Sequence, residues 1–466
     1  MKSPPGEKKK ENAKRRLNKK QIIKTPTARQ QQTARRMGVE QSTGRKAATF
    51  QEAEQLNTFP AGLDIDRDSF SGNALVCYKV TKDDDPELEI ARNKLLGPAF
   101  SSAAEDRAFG CMFGMPIGDS LGAPLEFSAV RYGSTELQDM PQDDVWFNPR
   151  YNRFRLRPGQ WTDDSAMGFC IADSLLVHHG FDGRDLRLRF LNWWELGYNN
   201  AFGQEFQWPE DLPPNTLPAM GRTSVGLGGN ISQSFGEFQK HRLEFTTAGD
   251  RRTSGNGSIM RLAPVPIYYW DNIENAMDVA AKSSRTTHQG DEAAECCRLL
   301  AYICVRAMNH PSSDAAQIRQ EVLDDLSGFS SNVYSIQCLA ASKQEEPHED
   351  NEGAKLQDRN WNWKDGDFRY SPSRAREQPG YVGSYAMDNM AMSLHCVYST
   401  TSFRDAVLKA ANVRGDSDSV ASVVGQIAGA IYGASSIPKH WIECVQQWDR
   451  GTIALRAYKL FHKTPL

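Results

Sequence analysis

Apolar residues recur at three- and four-residue spacing through most of the chain after residue 103, which is the pattern of helices with one buried face. Strand-like alternation is rare and short. The spacing predicts helices at Glu105–Ile117, Asp163–His178, Leu186–Gly197, Ile273–Ser284, Asp291–Asn309, Ala315–Asp325, Ser384–Tyr398, Phe403–Val413, Val420–Gly433 and Ile453–His462. We therefore expect a single compact all-α domain over residues 103–466.

Two long irregular stretches interrupt this helical pattern. Residues 199–258 contain several prolines and a glycine-rich segment, and residues 341–383 are rich in charge and contain two tryptophans. Long loops in a compact domain are usually functional or disordered. We expect the first stretch to form the rim of a site and the second to be a partly disordered insertion.

Two of the predicted helices carry glycines at four-residue spacing: Gly110, Gly114, Gly118 and Gly122 in one, Gly425, Gly429 and Gly433 in the other. A helix tolerates several glycines only when close backbone approach is gained, so we infer that the two helices touch. If they run antiparallel, Glu126 lies near Asp416 and Asp418. Pro116 is expected to kink or end the first helix.

Paired carboxylates stand at the heads of two predicted helices, in Thr162-Asp163-Asp164-Ser165 and in Asp416-Ser417-Asp418-Ser419. Taken singly, each pair is an ordinary helix cap, because Asp, Ser and Thr are the preferred capping residues. Adjacent carboxylates repel unless a cation lies beside them, and hard divalent cations take carboxylate and hydroxyl oxygens. The presence of two such pairs moves the interpretation towards a metal site.

Charge is distributed unevenly along the 466 residues. Residues 1–47 contain 15 Lys and Arg against three acids, a net charge of +12, and since the whole chain carries −3, the remainder carries −15. Residues 1–58 hold almost no large apolar residues, so they are predicted to be a disordered tail. Such a tail fits contact with nucleic acid or chromatin, or a merely solubilising role. Residues 59–102 are predicted to be a linker or an extension of the domain.

The nine cysteines form no Cys-x-x-Cys pair, and several lie within apolar helical runs. They indicate buried free thiols in a reducing compartment rather than a disulfide framework. The sequence has no secretory signal and no apolar stretch long enough to cross a bilayer. We expect a soluble intracellular protein, nuclear or cytoplasmic, with no membrane partner.

Five motifs occur in order: Gly118-Asp119-Ser120-Leu121-Gly122-Ala123-Pro124-Leu125-Glu126-Phe127, Trp161-Thr162-Asp163-Asp164-Ser165, Gly255-Asn256-Gly257-Ser258-Ile259-Met260-Arg261, Thr286-Thr287-His288 and Gly415-Asp416-Ser417-Asp418-Ser419. Together they resemble the ADP-ribosylglycohydrolase family, which includes the dinitrogenase-reductase-activating glycohydrolases. The resemblance covers about residue 103 to the C-terminus. It implies an orthogonal all-α domain of the ADP-ribosylglycohydrolase type.

The resemblance also implies a site. Two Mg²⁺ ions, or Mn²⁺ in some relatives, would be held by Thr162, Asp163, Asp164, Asp416, Asp418 and Ser419. A metal pair about 3.5–4 Å apart can orient a ribose diol and activate water. Catalysis would fall to Glu126, as acid or base, with Asp163 and Asp418. Asp119 is expected to orient local backbone rather than to bind metal.

Substrate binding would fall to His288 and to the loop Gly255, Asn256, Gly257 and Ser258, whose backbone N–H groups suit a diphosphate. By themselves these loop residues fit a plain tight turn equally well. Where family members often carry a glycine, this chain has Arg414, which is expected to add charge and bulk beside the metals and to affect substrate range.

The leading hypothesis is a binuclear Mg²⁺-dependent hydrolase that cleaves the glycosidic bond between ADP-ribose and a protein side chain or another acceptor. Alternatives are a hydrolase of another ADP-ribosyl compound or phosphoester, and a non-catalytic ADP-ribose-binding or structural protein. Retention of the five acids Glu126, Asp163, Asp164, Asp416 and Asp418 favours an enzyme.

Overall fold

A computed structural model of the chain describes residues 86–97, 100–141, 152–202, 224–326, 328–346, 358–449 and 451–464. The predicted tail, residues 1–58, lies outside these ranges, as does most of the predicted linker. No helix within the described ranges is long and apolar enough to cross a membrane.

The described residues are helical, with isolated β-bridges and no strand among them. The helices, in chain order, are α1 Pro86–Leu96, α2 Ala103–Gly122, α3 Asp163–His178, α4 Gly183–Leu196, α5 Gly229–His241, α6 Pro264–Tyr268, α7 Ile273–Arg285, α8 Asp291–Met308, α9 Ala315–Asp324, α10 Tyr334–Ala340, α11 Pro372–Glu377, α12 Ala386–Tyr398, α13 Phe403–Val413, α14 Ser417–Tyr432, α15 Lys439–Gln446 and α16 Thr452–His462. The predicted all-α fold is confirmed.

Helices α2 and α14 pack against each other along their glycine strips. A Cβ atom on Gly114 would lie 1.9 Å from the backbone oxygen of Gly425, and one on Gly122 would lie 2.2 Å from that of Ser417. No side chain fits in such a gap, so the crossing requires bare backbone. Because the end of α2 meets the start of α14, the helices run antiparallel, and both parts of the prediction are confirmed.

Pro116 does not end the helix, which was one of the two expected outcomes. Helix α2 continues through Pro116 to Gly122, five residues beyond the predicted end at Ile117. A proline inside a helix forfeits one backbone hydrogen bond. Here α2 is buried along almost its whole length, and the close packing against α14 favours the helical path over a turn.

Several helices lie where the sequence pattern indicated irregular chain. Helix α5 falls inside the stretch 199–258, and its apolar face buries Ile231, Phe235 and Phe238. Residues 358–383, part of the predicted insertion, are packed into the domain, with Trp361 and Trp363 buried in the core. Their indole N–H groups donate to Glu345 and to the Leu339 carbonyl, so this segment is ordered by tertiary contacts.

Helix α1 lies in the segment predicted as linker or extension. It packs Leu88 and Ala91 inward, and Lys94 donates to the buried Glu105 of α2 at 2.9 Å. The eight cysteines of the described residues are all unpaired, and seven of them are buried, in agreement with the sequence prediction.

Candidate active site

The antiparallel packing of α2 and α14 determines where Glu126 lies. Helix α2 ends at Gly122, a 3₁₀ turn follows over Ala123–Leu125, and Glu126 is its C-cap. The next residues pair with the segment before α14: Phe127 N–H donates to the Gly415 carbonyl at 2.9 Å, and Gly415 N–H to the Ser128 carbonyl at 3.0 Å. Glu126 is thereby held beside the first turn of α14.

The structure brings the two acidic clusters and Glu126 together. Carboxylate oxygens of Asp119, Asp164 and Asp418 lie within 4.8 Å of one another, as do those of Glu126, Asp416 and Asp418. Asp418 belongs to both groups and so joins them into one site. The predicted proximity of Glu126 to Asp416 and Asp418 is confirmed.

The helix-cap interpretation of the clusters is not supported. Thr162 is the N-cap of α3 and Asp416 the N-cap of α14, and neither side chain accepts a capping hydrogen bond. The first turn of α3 is capped instead from α2: Asp119 accepts from Thr162 N–H at 3.0 Å and from Ser165 N–H at 3.0 Å. Asp119 therefore orients backbone, as predicted, and Asp163 and Asp164 are left for another role.

Electrostatics make this site unfavourable without a cation. Burial raises the pKa of four carboxyl groups well above the ordinary range, and the charges of neighbouring carboxylates raise it further: Glu126, Asp163, Asp164 and Asp418. Within the described residues no Lys or Arg forms an ion pair with any of them. Glu126 Oε2 and Asp164 Oδ1 are buried without a hydrogen-bond partner. Such a donor set fits a hard divalent cation.

The hydroxyl groups predicted as ligands stand at the same place. Thr162 Oγ1 lies 3.2 Å from Asp164 Oδ2 and 2.9 Å from Asp119 Oδ1. Ser419, in the first turn of α14, has its Oγ 3.5 Å from the Met260 sulfur. Both hydroxyls are buried with the carboxylates.

The loop 224–228 covers one side of the site. Gly226 has φ +92°, and a Cβ atom there would lie 1.9 Å from Asp163 Oδ1. Only a glycine can take this conformation and approach the carboxylate so closely. This part of the stretch 199–258 therefore forms a rim, as the sequence analysis expected.

The glycine-rich loop at residues 255–258 forms a 3₁₀ turn over Asn256–Ser258 and is fixed to the segment before α12. The Asn256 N–H, expected as a phosphate donor, instead donates to the Ser384 carbonyl at 2.9 Å. Its side-chain amide donates to the Gly383 carbonyl at 3.0 Å and to Asp416 Oδ2 at 3.3 Å. The pairing of Gly255 with Tyr385 thus uses the backbone N–H of Asn256. The side chain of Asn256 positions Asp416.

Ser258 also has local partners. Its hydroxyl oxygen accepts from Ser284 Oγ at 2.9 Å and lies 3.5 Å from the Cys297 sulfur, in the fully buried core. The other two loop residues, Gly255 and Gly257, have no side chain, and a Cβ atom at either would meet the side chains of Asn230, Ile231 or His288.

His288 lies directly behind these two glycines. A Cβ atom on Gly255 or on Gly257 would lie 3.3 Å from its Nε2. Burial, and then the charge of Arg261, lower the pKa of His288 to about 3, so the ring is neutral at pH 7. Its Nδ1 is 2.8 Å from Thr287 Oγ1, which accepts from the Arg261 guanidinium at 2.7 Å.

Sequence reasoning missed Ser384 and Arg261 as residues of this site. Ser384 donates its hydroxyl to Asp416 Oδ2, and Arg261 supports His288 through Thr287. Ser384 carries no local motif, and its role depends on a contact across 32 residues. Arg414, expected to add charge and bulk beside the metals, forms an ion pair with Glu136.

Comparison with known proteins agrees with this geometry. Residues 101–465 match the ADP-ribosylglycohydrolase family. ADP-ribosylarginine hydrolase Tri1 of Pseudomonas putida (strain GB-1) is 30% identical over 364 residues, covering 78% of this chain and 80% of that protein. The ADP-ribosyl-dinitrogen-reductase glycohydrolase of Rhodospirillum rubrum is 23% identical, covering 73% and 90%. ADP-ribosylhydrolase ARH3 of Homo sapiens is 22% identical, covering 76% and 93%.

A solved structure of an ADP-ribosylglycohydrolase-related protein complex shares the fold, with a TM-score of 0.52 and 24% identity, over 77% of this chain and 99% of that one. The family match spans the helices and loops that carry the acidic cluster, from α2 to α16. The chain therefore belongs to the ADP-ribosylglycohydrolase family of hydrolases.

Proposed function

We propose that this protein is a divalent-metal-dependent hydrolase that cleaves the glycosidic bond between ADP-ribose and a modified protein side chain. The observation that carries the proposal is the cluster of five carboxylates, in which Asp163, Asp164 and Asp418 are buried and Glu126 and Asp416 are half-buried. Among the described residues, no Lys or Arg forms an ion pair with this cluster. Uncompensated carboxylates at such a site destabilise the folded state, and bound cations would offset that destabilisation.

The proposed ligands of two Mg²⁺ ions, with Mn²⁺ as a possible substitute, come from both helix heads: Thr162, Asp163, Asp164, Asp416, Asp418 and Ser419. Divalent cations held there would act as Lewis acids towards the ribose hydroxyls and towards water. Asn256 and Ser384 hold the Asp416 carboxylate, and Asp119 holds the first turn of α3. The donor oxygens are thus positioned before any cation arrives.

Glu126 is the proposed proton carrier. Hydrolysis breaks the bond from the ribose anomeric carbon to the acceptor; the hydroxyl of water joins that carbon and a proton joins the acceptor. The Glu126 carboxyl group lies within 4.8 Å of Asp416 and Asp418, and its burial and their charges raise its pKa, which favours the protonated form. Asp163 and Asp418 are the proposed catalytic partners that hold the reacting groups in place.

The diphosphate of ADP-ribose is proposed to lie along Gly255 and Gly257. Without side chains, these residues let backbone donors approach an anion closely. His288 lies behind these glycines and is supported by Arg261 through Thr287. The neutral ring keeps the loop in place and adds no negative charge that would repel the diphosphate.

Arginine is the acceptor proposed first, because a relative with 30% identity is named an ADP-ribosylarginine hydrolase. The test is release of ADP-ribose, in the presence of Mg²⁺, from peptides modified on arginine and from matched peptides modified on serine. We expect release from the arginine-linked peptide. Release from the serine-linked peptide alone would overturn the choice of acceptor, and release from neither would overturn the proposed activity.

A further inference from the structure

A second concave site lies outside the acidic cluster. It is a cavity of about 770 Å³ between residues 131–138, residues 366–369 and the helices α12 and α13. This volume falls within the usual range of small-molecule pockets. None of the proposed metal ligands, nor Glu126, lines it.

The walls of this cavity gather positive charge. Four cations line it, Arg131, Arg369, Arg404 and Lys409, against two carboxylates, Asp367 and Asp405. Residues 48–466 carry a net charge of −15, so a basic cavity in this part of the chain runs against its overall charge. Converging cations in a concave surface attract anions, because their fields add there.

Three of these cations have no carboxylate within 4 Å among the described residues. The Arg131 side chain is exposed, and Arg369 stacks on the Tyr132 ring with 4.7 Å from its guanidinium carbon to the ring centroid. Lys409 donates to the Ser399 hydroxyl at 2.7 Å and lies 3.1 Å from the His395 ring. Their charges remain to be compensated by solvent or by a ligand.

The remaining walls suit an organic group rather than a bare ion. The side chains of Phe368, Met392 and Leu408 line the cavity, and the Tyr132 ring stands beside Arg369. Flat apolar and aromatic walls beside a few convergent cations are typical of sites that bind a base and a phosphate together.

From these observations we infer that the cavity binds a nucleoside diphosphate, with Arg131, Arg369 and Lys409 on the phosphates and Tyr132 and Phe368 beside the base. Arg369 and Lys409 stand on different segments, so their cationic groups can act on one diphosphate from two sides. The site requires no metal, since the cations that line it outnumber its two carboxylates. It is separate from the acidic cluster, and its existence does not depend on the proposed hydrolysis.

The test is isothermal titration of the full-length protein with ADP and with pyrophosphate, in EDTA and at low salt. Chelation removes cations through which the acidic cluster could hold a phosphate. We expect ADP to bind more tightly than pyrophosphate, and more weakly as ionic strength rises. Because the loop at Gly255 and Gly257 is also proposed to bind a diphosphate, the variants below, rather than the stoichiometry, assign the binding to the cavity. The variant Asp418→Asn should bind ADP as the wild type does.

The deciding variant is Arg369→Ala with Lys409→Ala, which should raise the Kd for ADP at least about tenfold, because two charge-assisted contacts are lost. Arg131→Ala should also raise the Kd for ADP, and because Arg131 is exposed, we expect this variant to fold normally. The control is Lys282→Ala with Lys463→Ala, which removes the same charge from ion pairs with Asp278 and Asp271 and should leave the Kd unchanged.

Three results would overturn the inference. One is the absence of ADP binding to the wild type. Another is pyrophosphate binding as tightly as ADP, which would leave no role for the aromatic wall. The third is ADP binding that the Arg369→Ala, Lys409→Ala protein retains in full, since the basic tail and the loop at Gly255 and Gly257 are still present in that variant and one of them would then bind the ADP.

Discussion

Glu126 is one of four site carboxyl groups whose pKa is raised well above its usual value by the surroundings. Burial first, and then Asp418, Asp416 and Asp163, raise the pKa of its carboxyl group well above its usual value. One of its oxygens is buried without a hydrogen-bond partner, so the group is free to exchange a proton with a substrate. A carboxyl group whose pKa is raised is suited to general acid catalysis.

Replacing Glu126 by Gln is therefore expected to lower kcat by about a hundredfold or more, since proton transfer by a positioned side chain contributes on that order. Binding of ADP-ribose should change much less. Steady-state kinetics on the arginine-linked substrate, with ADP-ribose affinity measured separately, checks this. Glu377→Gln, at an exposed position of α11, is the matched control and should behave as the wild type. An unchanged kcat in Glu126→Gln would remove the proton-carrying role.

His288 makes stability depend on pH. Its pKa is about 3 in the folded protein against an ordinary value near 6.5, because the ring is buried and faces Arg261. The unfolded chain therefore binds a proton at this site first as pH falls. The contribution of His288 to stability is present above pH 6.5 and is lost between pH 6.5 and pH 3, by up to about 1.4 kcal/mol per pH unit.

The change His288→Gln should accordingly flatten the loss of stability on acidification. Urea unfolding of both proteins at pH 7.5 and at pH 5 measures this. The free energy of unfolding of the wild type should exceed that of the variant by less at pH 5 than at pH 7.5. A gap that is the same at both pH values would show that the ring is not held neutral.

The sequence indicated that Asp416, Asp418 and Glu126 would lie close together, because the two Asp residues stand at a helix head opposite the glycine strip that leads to Glu126. It did not predict Ser384, Arg261 or the use of the Asn256 backbone. Each of these depends on a partner far away in sequence, and no local pattern encodes such a pairing.

At the scale of elements, the α2–α14 crossing determines the geometry of the site. It places the end of α2 on the first turn of α14, and the Ser128–Gly415 pairing carries Glu126 to Asp418. Backbone packed directly on backbone leaves no room for a methyl group, and helix axes cannot separate locally without moving the carboxylates that they carry.

Gly114→Ala is expected to destabilise the protein by more than about 3 kcal/mol, because its new Cβ would meet the Gly425 backbone. Gly236→Ala is the matched control: it lies inside α5 with open space around it, and alanine should stabilise the helix by about 0.5–1 kcal/mol. Thermal or urea unfolding measures both. If Gly114→Ala proved as stable as the wild type, the helices would not be in backbone contact.

Helix positions were predicted best where the apolar period is long. Helices α3 and α13 match their predicted bounds, whereas α10, α11 and α15 were missed because each spans only six to eight residues. Helix α5 was missed because the prolines and glycines before it indicated a loop. Buried Trp361 and Trp363 could not be distinguished by pattern from an exposed insertion, since tertiary contacts alone order that segment.

At the scale of the whole molecule, a large helical core stabilises a fold that the clustered carboxylates of the site destabilise. Desolvated carboxylates from the α2–turn segment, α3 and α14 meet without a compensating cation from the described part of the chain. A ligand that binds the folded state alone would stabilise it by mass action. We therefore expect metal binding, stability and activity to be coupled in this one site. The role of the basic tail is a separate prediction.

The most direct test of this coupling is ADP-ribose release from an arginine-linked substrate by protein stripped with EDTA and then resupplied with Mg²⁺. The measurement is run on the wild type and on Asp163→Asn with Asp418→Asn, after circular dichroism has shown that both are folded. We expect no release in EDTA, recovery of release with Mg²⁺ in the wild type, and no recovery in the variant. Full release in EDTA, or by the variant, would contradict a metal-dependent site built on these carboxylates.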